Sequence, residues 1–380
     1  LSDEKLPKFD VKATSIVVIA LFLGAGIGYG TQTPAISDLN SDVSSLKSEL
    51  AKSNSEVSSA RNELSSARAE LSKTTSSLPG LSRAGYYLYV ADGKNNEVNV
   101  IEAASFRNVA TIKVGKTPHG VAVTPDGRYA YVTNNGNNTV SVIDTSTFKI
   151  IAEIPVGQKP HHARICPHGV HLFVPNEGSN DISVIDVATN KVIATVPAGS
   201  KPLYAAFTHD DKFAYVSNSG NNTVTVYKTH DLTPIATIPV GTKPHHIEVS
   251  PDDKYVLVVN DGSNDVSVIE VATNKVTATI PAGKKAHGIT FALSPAHKWL
   301  AYVSNIEDKT LSVIDISTLK VTKTISLDKA FSCLGTAPGR YLYASHAVEG
   351  EVSQFDVLSD KVTNTLSIIG GELHQVTAGY

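Results

Sequence analysis

From residue 85 onward the chain alternates short runs of β-branched and aromatic residues with polar turns, and the alternation repeats. One unit reads YVADGKNNEVNVIE from Tyr89, YVTNNGNNTVSVID from Tyr131 and FVPNEGSNDISVID from Phe173. It returns as YVSNSGNNTVTVYK from Tyr215, VVNDGSNDVSVIE from Val258, YVSNIEDKTLSVID from Tyr302 and YASHAVEGEVSQFD from Tyr343. These are seven copies, mostly 42 residues apart. Period-two alternation bounded by Gly, Pro and Asn predicts strands, and each full unit holds four. In the second unit the strands are expected at 120–124, 129–133, 139–143 and 149–154. Seven four-stranded units at a fixed period match a radial propeller, in which each sheet buries both faces against its neighbours. The first unit has no room for its own innermost strand. The terminal stretch from His374 to Tyr380, HQVTAGY, resembles HGVAVT from His119 and HHIEVS from His245, so it is expected to supply that strand and close the ring.

The front of the chain follows another pattern. After a short polar segment, 1–12, residues 13–30 are uncharged and apolar, close to the lower limit of about 17 residues for a membrane-crossing helix. A cleaved signal peptide with Lys5, Lys8 and Lys12 as its positive region is the competing reading. Over 34–78, apolar residues alternate in steps of four and three (Leu39, Val43, Leu46, Leu50, then Val57, Leu64, Leu71 and Leu78), which predicts a heptad-patterned stalk helix. The expected architecture is therefore an all-β seven-bladed propeller over 85–380, preceded by a transmembrane helix and a long α-helical stalk. Its expected setting is the cell membrane, with the propeller on the extracytoplasmic side. A stalk-mediated homo-oligomer or a membrane-protein partner is expected from the seam.

The recurring YVTN or YVSN followed by a turn and SVID resembles the YVTN family of seven-bladed propellers of archaeal and bacterial surface-layer and periplasmic proteins. That resemblance implies the propeller fold and a surface, scaffold or adhesion role, with surface proteins or glycans as partners. It implies no particular chemistry.

Composition changes this picture in two places. A formal net charge of -3 supplies no basic excess for phosphate backbones, which argues against nucleic acid. Two cysteines make no disulfide framework, and Cys166 and Cys333 are expected at opposite mouths of the propeller. No phosphate loop, nucleophile elbow or HExxH helix occurs.

The candidate chemistry lies in thirteen histidines. Aligned by unit, the start of the innermost strand carries His374, His119, His161, Leu203, His245, His287 and Ser332 in order around the ring. His346 replaces the tetrad Asn of the last unit, and Cys333 follows Ser332. Imidazoles gathered at one mouth suit copper or zinc. His374, His119 and His161 come from three adjacent blades and form the most compact expected triad. His245 and His287 form a second pair, and Cys333 with His346 would complete a softer site preferring copper. His162 and His246 are expected to orient the others or to pack between blades. Two further readings stand beside a metal-binding scaffold: a copper- or zinc-dependent redox or hydrolytic enzyme, and a metal-free adhesion protein whose histidines only bond neighbouring blades. Asp144, Asp186 and Asp315 are expected to cap turns, and Asn134 and its equivalents to lock them.

Overall fold

The computed structural model describes residues 44–49, 52 and 86–379, apart from 295, 297, 337–339 and 369. The chain divides into two compact units, residues 1–83 and 84–380.

The second unit is seven antiparallel four-stranded sheets. Blade 1 combines Tyr87–Asp92, Glu97–Glu102 and Arg107–Lys113 with the C-terminal strand Leu373–Gly379. Blade 2 is Pro118–Val123, Tyr129–Asn134, Thr139–Asp144 and Lys149–Pro155, each within two residues of the strand its alternation predicts. Blades 3 to 7 follow over 164–197, 202–239, 244–281, 286–326 and 334–367. The C-terminal strand pairs in register with the first, Tyr87 opposite Gly379 and Val90 opposite Val376, so the ring closes by hydrogen bonds between the chain ends. Innermost strands of consecutive blades touch all the way round, including Leu373–Gly379 against Pro118–Val123.

The two middle strands of each blade are buried on both faces, whereas the outermost strand is largely exposed. This is what a sheet sandwiched between two others requires, and it explains why the tetrad strands read as nearly continuous apolar runs. Seven apolar clusters form, one at each blade interface. The clasp between blades 7 and 1 joins Tyr343 and Val352 to Leu88, Val90, Leu373 and Val376.

Turn chemistry differs from the simplest reading in one respect. The left-handed residue of the tetrad turn is not Gly136 but Asn138, with φ of 60°, and likewise Asn180, Asn222 and Asn264. Each of these side chains accepts the backbone N–H that precedes the next blade, as in Lys159 to Asn138 and Lys201 to Asn180 (both 2.8 Å). Gly136 is needed for close approach, since a Cβ there would sit 3.0 Å from the Lys116 side chain. Asn134 donates to Thr139 and Ser141, and Asp144 accepts from Ser146 and Thr147, so both serve as turn locks.

The expected front end requires correction. In the first unit only residues 44–49 and 52 are described, and they are helical. That short stretch is not a long stalk, and no described helix is long and apolar enough to cross a membrane. Residues 13–30 and most of 34–78 lie outside the described residues. The physical basis for both expectations is thin. The apolar run is at the length limit and carries Gly24, Gly26 and Gly28, and the heptad seam places Ser53, Ala60, Ala67 and Thr74 where a coil needs large apolar residues. Among the described residues no helix supports a single-pass anchor or the extracytoplasmic placement that depends on it.

Candidate metal centre

The innermost strand begins beside the tetrad Asn of its own blade, as Pro118 opposite Asn134 and Pro244 opposite Asn260 show, so every following histidine emerges at the mouth that carries the tetrad turns. Its backbone is anchored from the preceding blade. The tetrad hydroxyls of Thr133, Ser217 and Ser345 donate to the carbonyls of His161, His245 and His374 respectively. Gly93 leaves space for the His374 ring, because a Cβ there would lie 2.7 Å from its Nε2.

The rings form an arc. His374 stacks on His119 at 4.1 Å between centroids, and His119 lies 3.9 Å from His161. Across the position of Leu203, His245 follows at 5.8 Å and stacks on His287 at 3.8 Å. The arc opens at blade 7, where Ser332 stands in place of a histidine.

Blade 3 departs from the repeat, and the departure builds the tightest part of the site. Pro175 replaces the tetrad hydroxyl residue, so nothing equivalent holds the Leu203 carbonyl. That carbonyl accepts instead from the His162 backbone N–H (3.0 Å) and from His161 Nδ1 (3.2 Å). The innermost strand of blade 3 shortens to Arg164–Ile165, and His162 bridges in parallel to Tyr204 of blade 4. His162 thereby turns its ring beneath the arc, 4.5 Å from His119 and stacked on Tyr204 at 3.8 Å.

The hydrogen bonds assign the tautomers. A carbonyl only accepts, so His161 carries its proton on Nδ1 and keeps its Nε2 lone pair. His162 Nδ1, 2.7 Å from His161 Nδ1, is then the acceptor, and its Nε2–H donates to the Tyr204 hydroxyl at 2.9 Å. The Tyr204 hydroxyl in turn donates to Cys333 Sγ at 3.4 Å. One nitrogen from each of His119, His161 and His162 lies within 4.8 Å of the others. His119 Nδ1 and His245 Nδ1 are buried atoms without a hydrogen-bond partner.

Burial, reinforced by neighbouring imidazoles, pushes the pKa values of His119, His162 and His245 well below the ordinary value and that of His161 to about 3. These rings are neutral at physiological pH, the form that ligates metals. His287 behaves oppositely. Burial opposes its protonation, but hydrogen bonds with Asp261 (3.2 Å from Nδ1) and Cys333 prevail and raise it to about 9.

The expected residues therefore separate into groups. His119 and His161 come together, with His162 rather than His374 as the third member of the tightest set; His374 flanks it by stacking on His119. His162 was expected only in a supporting role, and the signal that would have identified it is Pro175, the one tetrad that has lost its third position to proline. His245 stacks on His287, whose Nδ1 is occupied by Asp261. Cys333 and His346 do not form a site together. His346 Nε2 bonds Ser353 at 2.8 Å and its ring packs on Phe331, the role that Asn134 plays toward Ser141. His246 is structural, accepting the Ile289 N–H at Nδ1 (3.1 Å) and facing Glu248 with Nε2. Below the rings, Arg164 of blade 3 reaches Glu248 of blade 5 at 3.1 Å. A separate cleft of about 430 Å³, lined by Thr124, Pro125, Arg128, His168 and Asn190, lies at the far ends of these strands and holds none of the arc.

The sequence profile of a family described as lactonase, seven-bladed β-propeller, matches residues 80–198 and 191–288, together more than half of the chain. No curated protein matches. Solved structures share the fold at low identity. Hydrazine synthase of Kuenenia stuttgartiensis is 20% identical with a TM-score of 0.59, over 66% of this chain and 86% of that one. The dihydro-heme d1 dehydrogenase NirN, in complex with DHE, is 18% identical with a TM-score of 0.62, over 78% and 67%. A functionally unknown protein from Desulfotomaculum acetoxidans is 18% identical with a TM-score of 0.67, over 77% and 99%.

Proposed function

The chain belongs to the lactonase family of seven-bladed β-propellers, and we propose that within this scaffold His119, His161 and His162 bind a transition-metal ion at the axial mouth. The observation that carries the proposal is the convergence of three neutral imidazoles, one nitrogen each within 4.8 Å. His161 Nδ1 and His162 Nε2 are committed to Leu203 and Tyr204, and an ion would take the His162 Nδ1 lone pair in place of its hydrogen bond from His161, whose N–H keeps the Leu203 carbonyl. A ligating histidine ordinarily donates its other N–H in this way, which fixes the ring and raises its basicity. An all-nitrogen donor set suits zinc or copper and disfavours magnesium or calcium. His119 adds an unpartnered buried Nδ1, the condition a ligand relieves.

The residues around the ion have separable tasks. Leu203 and Tyr204 orient the two rings of blade 3, Thr133 fixes their backbone, and His374 shields the outer side of His119. A bound ion supplies Lewis acidity toward a carbonyl oxygen or a water molecule. The test is elemental analysis and calorimetric titration with zinc and copper on chelator-stripped protein. About one ion per chain is expected, lost in His119→Ala and His161→Ala and weakened about tenfold in Tyr204→Phe. No stoichiometric uptake, or uptake indifferent to these changes, would contradict the proposal.

The family description favours a second reading, hydrolysis of a cyclic ester at the same mouth. Turnover of a lactone panel by metal-loaded protein, abolished by chelation, would support a metal-dependent form of it; a panel without turnover would exclude that form.

A further inference from the structure

The cleft at the far ends of the blade 2 and blade 3 strands, away from the imidazole arc, measures about 430 Å³, a size suited to a small molecule. Three turns enclose it: 124–128 of blade 2, 166–170 of blade 3, and 187–190, which leads into the outermost strand of blade 3. One of them breaks the repeat. In blades 2, 4 and 5 a hydroxyl donates to an aspartate two residues on: Thr124 to Asp126 (2.6 Å), Thr208 to Asp210 (2.8 Å) and Ser250 to Asp252 (2.7 Å). Blade 3 carries Cys166 and His168 at these places. The His168 ring leaves its own turn and sets Nδ1 2.7 Å from Asp211 Oδ2 of blade 4. The Asp211 side chain is fully buried and its other oxygen has no hydrogen-bond partner, while His168 is 64% exposed on the cleft wall. A turn lock has been exchanged for an imidazole held at a cleft by a buried carboxylate.

The wall groups define what fits. A carboxylate only accepts, so Asp211 fixes the His168 proton on Nδ1 and leaves an acceptor lone pair on Nε2 of the neutral ring. Arg128, its guanidinium 5.4 Å from the centre of the Tyr129 ring, is permanently charged and only donates. Asn190 Oδ1 accepts the Tyr131 O–H at 2.6 Å, which leaves the amide N–H groups of Asn190 for the cleft. Asp126 is exposed on the wall, with Oδ1 taken by the Thr124 hydroxyl and the Arg128 backbone N–H. Its charge repels a plain anion but accepts a hydroxyl. Pro125, Val187 and Ala188 give an apolar surface to a carbon frame. We infer that the cleft binds a small polyhydroxy carboxylic acid, its carboxylate on Arg128 and Asn190 and its hydroxyls donating to His168 Nε2 and Asp126. A sugar without the acid would leave Arg128 unmet, and an acid without hydroxyls would face Asp126 and the His168 lone pair with nothing to donate. The inference rests neither on an ion at the mouth nor on hydrolysis there.

The experiment is calorimetric titration of the full chain in excess chelator at pH 8, well above the ordinary imidazole value of about 6.5. Three probes separate the features: quinate, cyclohexanecarboxylate (the acid on a ring without hydroxyls) and myo-inositol (the hydroxylated ring without the acid). Quinate is expected to saturate one site per chain with a millimolar or tighter Kd. Each analogue should bind at least about tenfold more weakly, because it leaves a polar wall group unmet. Arg128→Gln should weaken quinate about tenfold or more, whereas His168→Ala should weaken quinate and leave cyclohexanecarboxylate unchanged, a split that a merely structural histidine would not produce. His119→Ala should leave quinate binding as it is. No saturation by quinate, equal binding of the three probes, binding unmoved by both cleft substitutions, or binding lost in His119→Ala would each overturn the inference. The comparison of probes on the unaltered chain needs no variant to fold. Metal uptake is read separately, so failure of the cleft leaves the ion proposal standing and failure of the ion leaves the cleft standing.

Discussion

His161 and His287 hold the same register position three blades apart, yet their surroundings drive them in opposite directions. His161 meets burial and other imidazoles and falls to about 3, whereas His287 meets Asp261 and Cys333 and rises to about 9. Each shift makes a statement about stability. The neutral His161 contributes fully above the ordinary value near 6.5, and its contribution declines as pH falls toward 3 because the unfolded chain binds the proton first. The His287 contribution is complete below about 6.5 and is lost as pH rises through about 9. Urea midpoints should therefore fall between pH 7 and pH 4, and His161→Gln should make that fall shallower by about one proton, roughly 1.4 kcal/mol per pH unit. An unchanged slope would mean that His161 is hydrated in the native state. At this scale the register of the histidines is readable from the repeat alone, because a fixed period places equivalent residues at one mouth. Their partners are not. Whether a ring bonds Asp261, Leu203 or Ser353 depends on side chains from other blades, which is why His346 reads as a mouth residue by alignment yet points into its own sheet.

At the scale of elements, the tetrad strand links repeat to site. Its third residue in blade 2, Thr133, reaches across the interface to the His161 carbonyl and also accepts the Gly120 N–H. Thr133→Val keeps the shape and removes the hydroxyl. It is expected to cost about 1–3 kcal/mol in chemical denaturation, as buried unmet hydrogen bonds do, and to weaken metal uptake with it. A cost at zero in both measurements would show that the interface holds His161 without this bond. The strand boundaries are legible because alternation, Asn and Gly mark them. The shortened innermost strand of blade 3 is not, since Pro175 signals only that a hydrogen bond is missing and not where the freed Leu203 carbonyl finds another. The closing strand carries its own prediction. Removing residues 373–380 strips blade 1 of its innermost strand and exposes the clasp around Leu373 and Val376, each worth about 1.5–3 kcal/mol of burial. The truncated chain should aggregate or melt far below the intact one by calorimetry. Equal melting temperatures would contradict closure through this strand.

For the whole molecule, seven nearly equal blades make a rigid ring, and inequalities among them make the chemistry. Pro175 and Leu203 gather three imidazoles on one side of the axis; on the other side Ser332 interrupts the arc and His287 turns to Asp261. A propeller of identical repeats would present seven equivalent groups and no compact site. Circular closure was readable because HQVTAGY matches the other innermost strands. The apolar pattern over 13–30 and the heptad pattern over 34–78 predict an anchor and a stalk, and among the described residues nothing of that length stands behind them. The measurement that bears most directly on the account is anomalous diffraction at the zinc and copper absorption edges, from crystals soaked in each ion. A single peak is expected at about 2.0–2.1 Å from one nitrogen each of His119, His161 and His162. A peak placed instead at His287 and Cys333, or no peak on the axis at all, would contradict it.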